Sequence, residues 1–304
     1  MPEWSAEFEV DEPLARRLIR EQFPELRVHS LRLFATGWDN TVWLVDETWA
    51  FRFPRREIAV PLVERELVVL PPLAPRLPLA APVPRFVGQP SASYPWPFLG
   101  NELIRGRELG VVSLDDEQEK ALAVALARFL RILHEGETLA AIPDPSRLPE
   151  DPNARAAMGL RVPRAREALA RLEGEGMWQT PANVETLLES ALSLAPPAAR
   201  VLVHGDLHFR HVLVDGTRIA GVIDWGDVCL ADPSLDLQLV WSFFSPRARA
   251  AFLAEYGEVP RERELRARVL GLSINAVLAL YGRDELLPDV ERTAVASLDR
   301  LASA

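Results

Sequence analysis

Within the 304 residues, one stretch gathers most of the side chains able to do chemistry. His204, Asp206, His208 and His211 fall close together, and Asp224 and Asp227 follow a short way on. Between the two groups Asp215-Gly216 separates the apolar runs Val212–Val214 and Ile219–Ile223. That pattern predicts a hairpin, in which the chain goes out along one strand and returns along its neighbour. Asp206 and His211, just before the ribbon, and Asp224, just after it, should therefore meet at one edge. Carboxylates held together repel unless they share a cation or a proton, and a hard Mg²⁺ ion takes one or two carboxylates plus substrate phosphates. Phosphoryl transfer makes that demand: one Asp orients or deprotonates the attacking hydroxyl, and a second holds the metal on the nucleotide's phosphates. Asp206 suits the first role and Asp224 the second. A different chemistry reads His204, Asp206, His208 and His211 as the ligands of a metal-dependent hydrolase, since imidazole and carboxylate at short spacing suit zinc or iron. That reading leaves Asp224-Trp225-Gly226-Asp227 unused.

The elements that must hold these residues follow from pattern. Leu31–Ala35, Thr41–Asp46 and Trp49–Phe53 predict three short antiparallel strands, with Val83–Val87 and Phe98–Ile104 as two more. Glu57–Leu70 carries Leu62, Glu66, Leu67 and Leu70 at helical spacing. Eleven of the 26 prolines lie between Pro54 and Pro97, which predicts a loop-rich region there. Past Arg105 the character turns helical. Ser113-Leu114-Asp115-Asp116 reads as an S-x-x-D start signal for a helix that buries Leu122, Leu126, Phe129, Leu130 and Leu133. Further helices are expected over 153–175, 182–194, 234–244, 246–256, 261–281 and 286–303, with a proline-rich connection at 136–152. The fold class expected is α+β, with a β-rich lobe over residues 1–104, a mainly helical lobe over 105–304, and a ligand cleft between them. Single residues outside the motif take plainer readings. His204 and His208 brace their loop, Asp232 and Asp236 cap a helix, His134 faces a helix C-terminus, and Trp241, Phe243 and Phe244 are core.

Composition narrows the partners. With 44 acidic against 34 basic side chains the chain carries −10, which disfavours general nucleic-acid binding, a task that needs clustered Lys and Arg. Residues 105–304 hold 30 acids against 23 bases, a balance that suits a cationic ligand or merely a soluble surface. The uncharged stretch Val269–Gly282 is shorter than the ~20 residues of a bilayer span, so no membrane partner is expected. The lone Cys229 and the absence of a basic, then apolar leader pattern point to the cytoplasm. Lys120 is the only lysine, so any task usually given to lysine falls to arginine.

His204-Gly205-Asp206-Leu207-His208, the polar residue at 211, Ile223-Asp224-Trp225-Gly226-Asp227, and Asp232-Pro233 with Asp236 resemble the aminoglycoside and macrolide phosphotransferase family of small-molecule kinases. The resemblance implies a two-lobed protein-kinase-like fold and a small antiparallel-sheet N-lobe. It also implies Mg²⁺ with ATP or GTP as donor, and transfer of the γ-phosphate to a hydroxyl of an antibiotic or other small molecule. By the same resemblance Asp206 is the catalytic residue, Asp224 and His211 hold the metal, and Gly37 lies in the turn that covers the nucleotide. Arg52, paired with Glu66, stands where most kinases carry a phosphate-clamping lysine, and Glu102-Leu103-Ile104 form the connector whose backbone meets the base. Two departures stand out. Arg52 offers a planar fork instead of a point charge, and His211 replaces an Asn, with imidazole a poorer partner for Mg²⁺ than an amide oxygen. Together they motivate a further alternative, a catalytically silent nucleotide- or ligand-binding protein of the same fold.

Overall fold

Asp11 starts the first helix of this computed structural model, which describes residues 6–197 and 199–303. Its carboxylate accepts the Leu14 N–H at 2.9 Å, and Pro13 occupies a first-turn position that needs no donor. Helix α1 (Glu12–Gln22) buries only Ala15, Leu18 and Ile19, a stripe too thin for the periodicity to announce. Strands β1 (Leu31–Thr36), β2 (Asn40–Val45) and β3 (Trp49–Pro54) follow as the expected antiparallel meander. A 3₁₀ turn at Glu57–Ala59 leads into α2 (Val60–Leu73), which runs three residues past its expected end, through Pro71 and Pro72. Both prolines sit in the last turn and each forgoes the N–H bond to the carbonyl four residues back, a cost that burial of Val69, Leu70 and Leu73 offsets. Strands β4 (Pro84–Gly88) and β5 (Phe98–Glu102) complete a five-stranded antiparallel sheet in the order β1-β2-β3-β5-β4. Its core is aromatic: Phe53 stacks on Phe98 with centroids 4.5 Å apart, and Phe23, Phe51 and Tyr94 pack around them.

The chain divides into two units. The first holds the described residues up to Pro75, Ala80–Ile104 and the four residues Asp224–Asp227. The second holds Arg76–Leu79, Arg105–Ile223 and the rest. It opens with a short strand, β6 (Arg107–Glu108), which the helical expectation overlooks, and continues into α3 (Asp116–Leu133). The cap of α3 is Asp115 instead of Ser113: Asp115 accepts the Gln118 N–H at 2.9 Å while the Gln118 side chain accepts the Asp115 N–H at 3.0 Å. After α4 (Gly136–Leu139), a single turn inside the expected connection, come α5 (Met158–Gly174) and α6 (Ala182–Leu192).

Strand β7 (Val201–Val203) pairs with β10 (Cys229–Ala231), and between them β8 (Val212–Asp215) and β9 (Arg218–Val222) form the hairpin, which turns at Gly216-Thr217. Helices α7 (Ser234–Phe243), α8 (Pro246–Tyr256), α9 (Arg261–Asp284) and α10 (Pro288–Ser303) close the chain. By length and composition α9 could cross a bilayer, being longer than the stretch between its arginines suggests, but 78% of its most apolar window is buried in this unit, against α5, α7 and α10.

Candidate active site

The turn after β7 is built around a carboxylate with no exposed surface. Asp236, on α7, accepts the main-chain N–H of His204 at 2.8 Å and of Gly205 at 2.9 Å. It also lies 3.1 Å from His134 Nε2, whose other nitrogen meets the Tyr256 hydroxyl at 2.7 Å. The expectations of a helix cap for Asp236 and a helix-dipole role for His134 are thus corrected: both reach across the fold to fix one loop. Gly205 adopts φ 87°, a left-handed conformation that a side chain would resist. His204 braces the same loop, its Nε2 bonded to the Ile223 carbonyl at 2.9 Å and its Nδ1 facing the Asp206 N–H at 3.4 Å. That fixes its tautomer and removes it from any ligand set, so the four-residue cluster of the hydrolase reading shrinks to three.

Those three are Asp206, His208 and His211, whose ligand-capable atoms all lie within 4.8 Å of one another. The Asp206 side chain, 28% exposed, is the open member of this group; His208 Nε2 stands 3.7 Å from it and His211 Nδ1 3.8 Å. His211 donates from Nδ1 to the Asp206 carbonyl at 2.8 Å, which leaves Nε2 as its lone-pair nitrogen. Burial first, then the proximity of His211 and Arg210, hold His208 well below the ordinary imidazole range, and its place beside Asp206 is that of a neutral support. Arg155, which the sequence reading passes over, donates to the Gly205 carbonyl and places Nη2 3.7 Å from the Asp206 carboxylate. The hairpin closes as expected, the Ile223 N–H donating to the His211 carbonyl at 2.9 Å. Asp224 comes next, at φ 63°, a strained conformation that Asp tolerates better than most residues.

In the first unit Arg52 on β3 and Glu66 on α2 form a buried fork-to-fork pair, Nη1 to Oε1 at 3.0 Å and Nη2 to Oε2. Burial opposes the charge on Arg52, but Glu66, with Asp224 adding, raises its pKa above the usual value. Glu66 is raised as well, by burial first, against the pull of Arg52 and with the charge of Asp224 pushing the same way. Two carboxylates therefore share one arginine, a local excess of negative charge that suits a divalent cation at Asp224. Arg52 Nε–H is buried and donates to nothing among the described residues. Gly37 sits in the β1–β2 turn, but its N–H donates to the Asn40 carbonyl at 2.9 Å and its own carbonyl accepts from Arg55 at 2.6 Å. Glu102 ends β5 exposed, and the Leu103 N–H is spent on the Thr48 carbonyl at 2.7 Å. Of the connector's backbone donors, that of Leu103 is thus committed to the sheet, and Ile104 closes the unit.

Residues 30–270 match a family model described as the phosphotransferase enzyme family. Over 87 residues the chain is 40% identical to viomycin phosphotransferase of Streptomyces vinaceus, covering 27% of this chain and 24% of that protein. Over 63 residues it is 36% identical to the uncharacterized protein YcbJ of Bacillus subtilis (strain 168), covering 20% and 21%. The alignments thus span a quarter or less of these relatives' own length. Among solved structures, the GDP and kanamycin complex of APH(2")-IIia matches with a TM-score of 0.71 at 22% identity over 95% of this chain and 98% of that one. Macrolide 2'-phosphotransferase type I matches with a TM-score of 0.61 at 23% identity over 96% and 98%. The fold is the α+β, protein-kinase-like fold of these enzymes.

Proposed function

The chain belongs to the phosphotransferase enzyme family, and we accordingly propose that it moves the γ-phosphoryl group of ATP or GTP to a hydroxyl of a small molecule. What carries this reading is Asp206: a carboxylate left partly open to solvent on a loop whose braces, His204 and Asp236, are fully buried. Asp206 orients the acceptor hydroxyl and takes its proton as the bond to phosphorus forms. Arg52, held by Glu66, steadies the donor's phosphates with its positive charge. Asp224, with His211 Nε2 as a weaker second ligand, would hold Mg²⁺, which when bound offsets charge on the phosphates. Since the transition state for phosphoryl transfer is loose, most of the acceleration comes from positioning and charge stabilisation. The relatives named for viomycin, kanamycin and macrolides favour an antibiotic-like acceptor with several hydroxyls.

The test pairs turnover with nucleotide binding. Asp206→Asn is expected to keep the wild-type dissociation constant for Mg-nucleotide and to lose transfer by at least ~10²-fold across a panel of hydroxyl compounds. Asp224→Ala is expected to weaken Mg-nucleotide binding itself. Unchanged turnover in Asp206→Asn refutes the base assignment, and a wild-type protein that binds nucleotide without phosphorylating any compound supports the silent binding protein instead.

A further inference from the structure

Arginine crowds the turn that leads into α5. Arg155 precedes the helix, Arg161 lies in its first turn, and Arg164 follows on the next. The carboxylate of Asp151, the nearest acid in sequence, accepts the main-chain N–H groups of Arg155 at 2.7 Å and Ala156 at 2.8 Å. It is therefore occupied with the turn and forms no ion pair with Arg161. Arg155 leaves this turn for the catalytic loop, where it meets the Gly205 carbonyl and stands beside Asp206.

Arg161 is the unusual member. It is half-buried, its Nε–H is covered and donates to nothing among the described residues, and its Nη2 reaches only the Asn153 carbonyl, at 3.5 Å. Other arginines further along α5 are paired, Arg166 with Glu185 and Arg171 with Glu175. Burial lowers the Arg161 guanidinium to about 10, with Arg155 and Arg164 adding to the effect and Asp151 opposing it, so the group stays charged at neutral pH. A half-buried cation with no carboxylate at ion-pair contact is costly even with Asp151 nearby, and supplying an anion at contact relieves the cost. The helix itself adds to the imbalance. Its first turn holds no acidic residue and no side chain caps it, and the one carboxylate close by, Asp151, is spent on the turn before it.

We propose that Arg161, together with Arg155, binds an anionic group of the acceptor, a carboxylate or a phosphate, beside Asp206. A guanidinium fork matches either group bidentately, and Arg155 spans from the cluster to the carboxylate that orients the acceptor hydroxyl. Among hydroxyl-bearing acceptors the substrate class is then a hydroxy acid or a phosphorylated alcohol, which departs from the antibiotics that the relatives are named for. The excess of acids over residues 105–304 does not decide the matter, because surface charges beyond ~8 Å are screened at physiological salt whereas the arginines act at contact. The inference rests on the assignment of Asp206 as the residue that orients the acceptor.

Binding is tested without turnover, using inorganic phosphate as the probe. The melting temperature of the full chain, saturated with Mg-nucleotide so that the donor's own contacts are filled, is followed against phosphate at constant ionic strength with chloride as reference. The wild type is expected to rise with phosphate. Arg161→Gln is expected to show no rise and, in chloride alone, to melt at or above the wild type because an uncompensated charge has gone; Arg161→Lys should keep part of the response. An equal response in wild type and Arg161→Gln, no response in the wild type, or an Arg161→Gln protein that melts well below the wild type in chloride overturns the site. Matched acceptors then separate the acceptor's own group from free phosphate: kcat/KM for hydroxy acids and phosphorylated alcohols should exceed that for their uncharged amides and alcohols by more than ~tenfold, a preference lost in Arg161→Gln. Phosphate binding that depends on Arg161 without this preference overturns the substrate assignment. Arg161-dependent phosphate binding with no turnover of any compound leaves the anion site standing and removes the phosphotransfer reading.

Discussion

Asp236 is a carboxylate inside a helix whose ten residues are all buried, and a charge so placed must find donors; it takes the N–H groups of His204 and Gly205 and faces His134. Replacing it with Asn keeps the shape but turns an –NH₂ toward one of two main-chain donors that have no other means of satisfaction. Asp236→Asn is expected to lose ~1–3 kcal/mol of stability in urea unfolding, and to lower kcat more than it raises KM for nucleotide, since the loop it holds carries Asp206. A variant as stable as the wild type would show that the loop is held by something else. In the sequence Asp236 carries a helix-cap signature, which the structure replaces with a role in another loop. Its partners lie 31 and 32 residues upstream and could not be read from local spacing. Arg155 shows the same limit more sharply, because nothing in the helix expected over 153–175, which holds several arginines, marks one of them as the neighbour of Asp206.

Elements were legible where a pattern repeats for long enough. The β1–β3 meander, the hairpin of β8 and β9 and the long helices follow from alternation, turn residues and helical spacing, and Trp241, Phe243 and Phe244 are buried as expected. The misses are short or thinly apolar: α1 with its three buried positions, and the two-residue β6, which exists because β8 offers it an edge. At the start of α3 the competing signals lie two residues apart, and geometry selects Asp115 because its box with Gln118 satisfies donors at both positions. Asp115→Ala should therefore cost ~1 kcal/mol, whereas Ser113→Ala should be neutral, as read from urea unfolding of the two variants side by side. Equal losses would mean that the helix begins at Ser113.

At the scale of the molecule, the first unit is not a contiguous piece of chain. After Ile223 ends the hairpin, Asp224–Asp227 enter the contacts of the first unit, where Arg65 donates to the Gly226 carbonyl at 2.6 Å, Glu66 accepts from the Trp225 N–H, and α2 lies directly against Gly226. A β-carbon added at Gly226 would stand 2.9 Å from Leu62 Cβ, an atom fixed to the α2 backbone that cannot rotate away. Gly226→Ala therefore requires the segment or the helix to move, and the same helix carries the Glu66 that holds Arg52. The expected outcome is a loss of ~1–3 kcal/mol in thermal or urea unfolding together with weaker Mg-nucleotide binding, because the strain falls on Asp224 and on the Arg52–Glu66 pair at once. Leu62→Ala keeps the obstructing β-carbon, so the double variant should recover neither property. Full nucleotide affinity in Gly226→Ala, measured by calorimetric titration, would show that the fit between this segment and α2 does not govern the donor site.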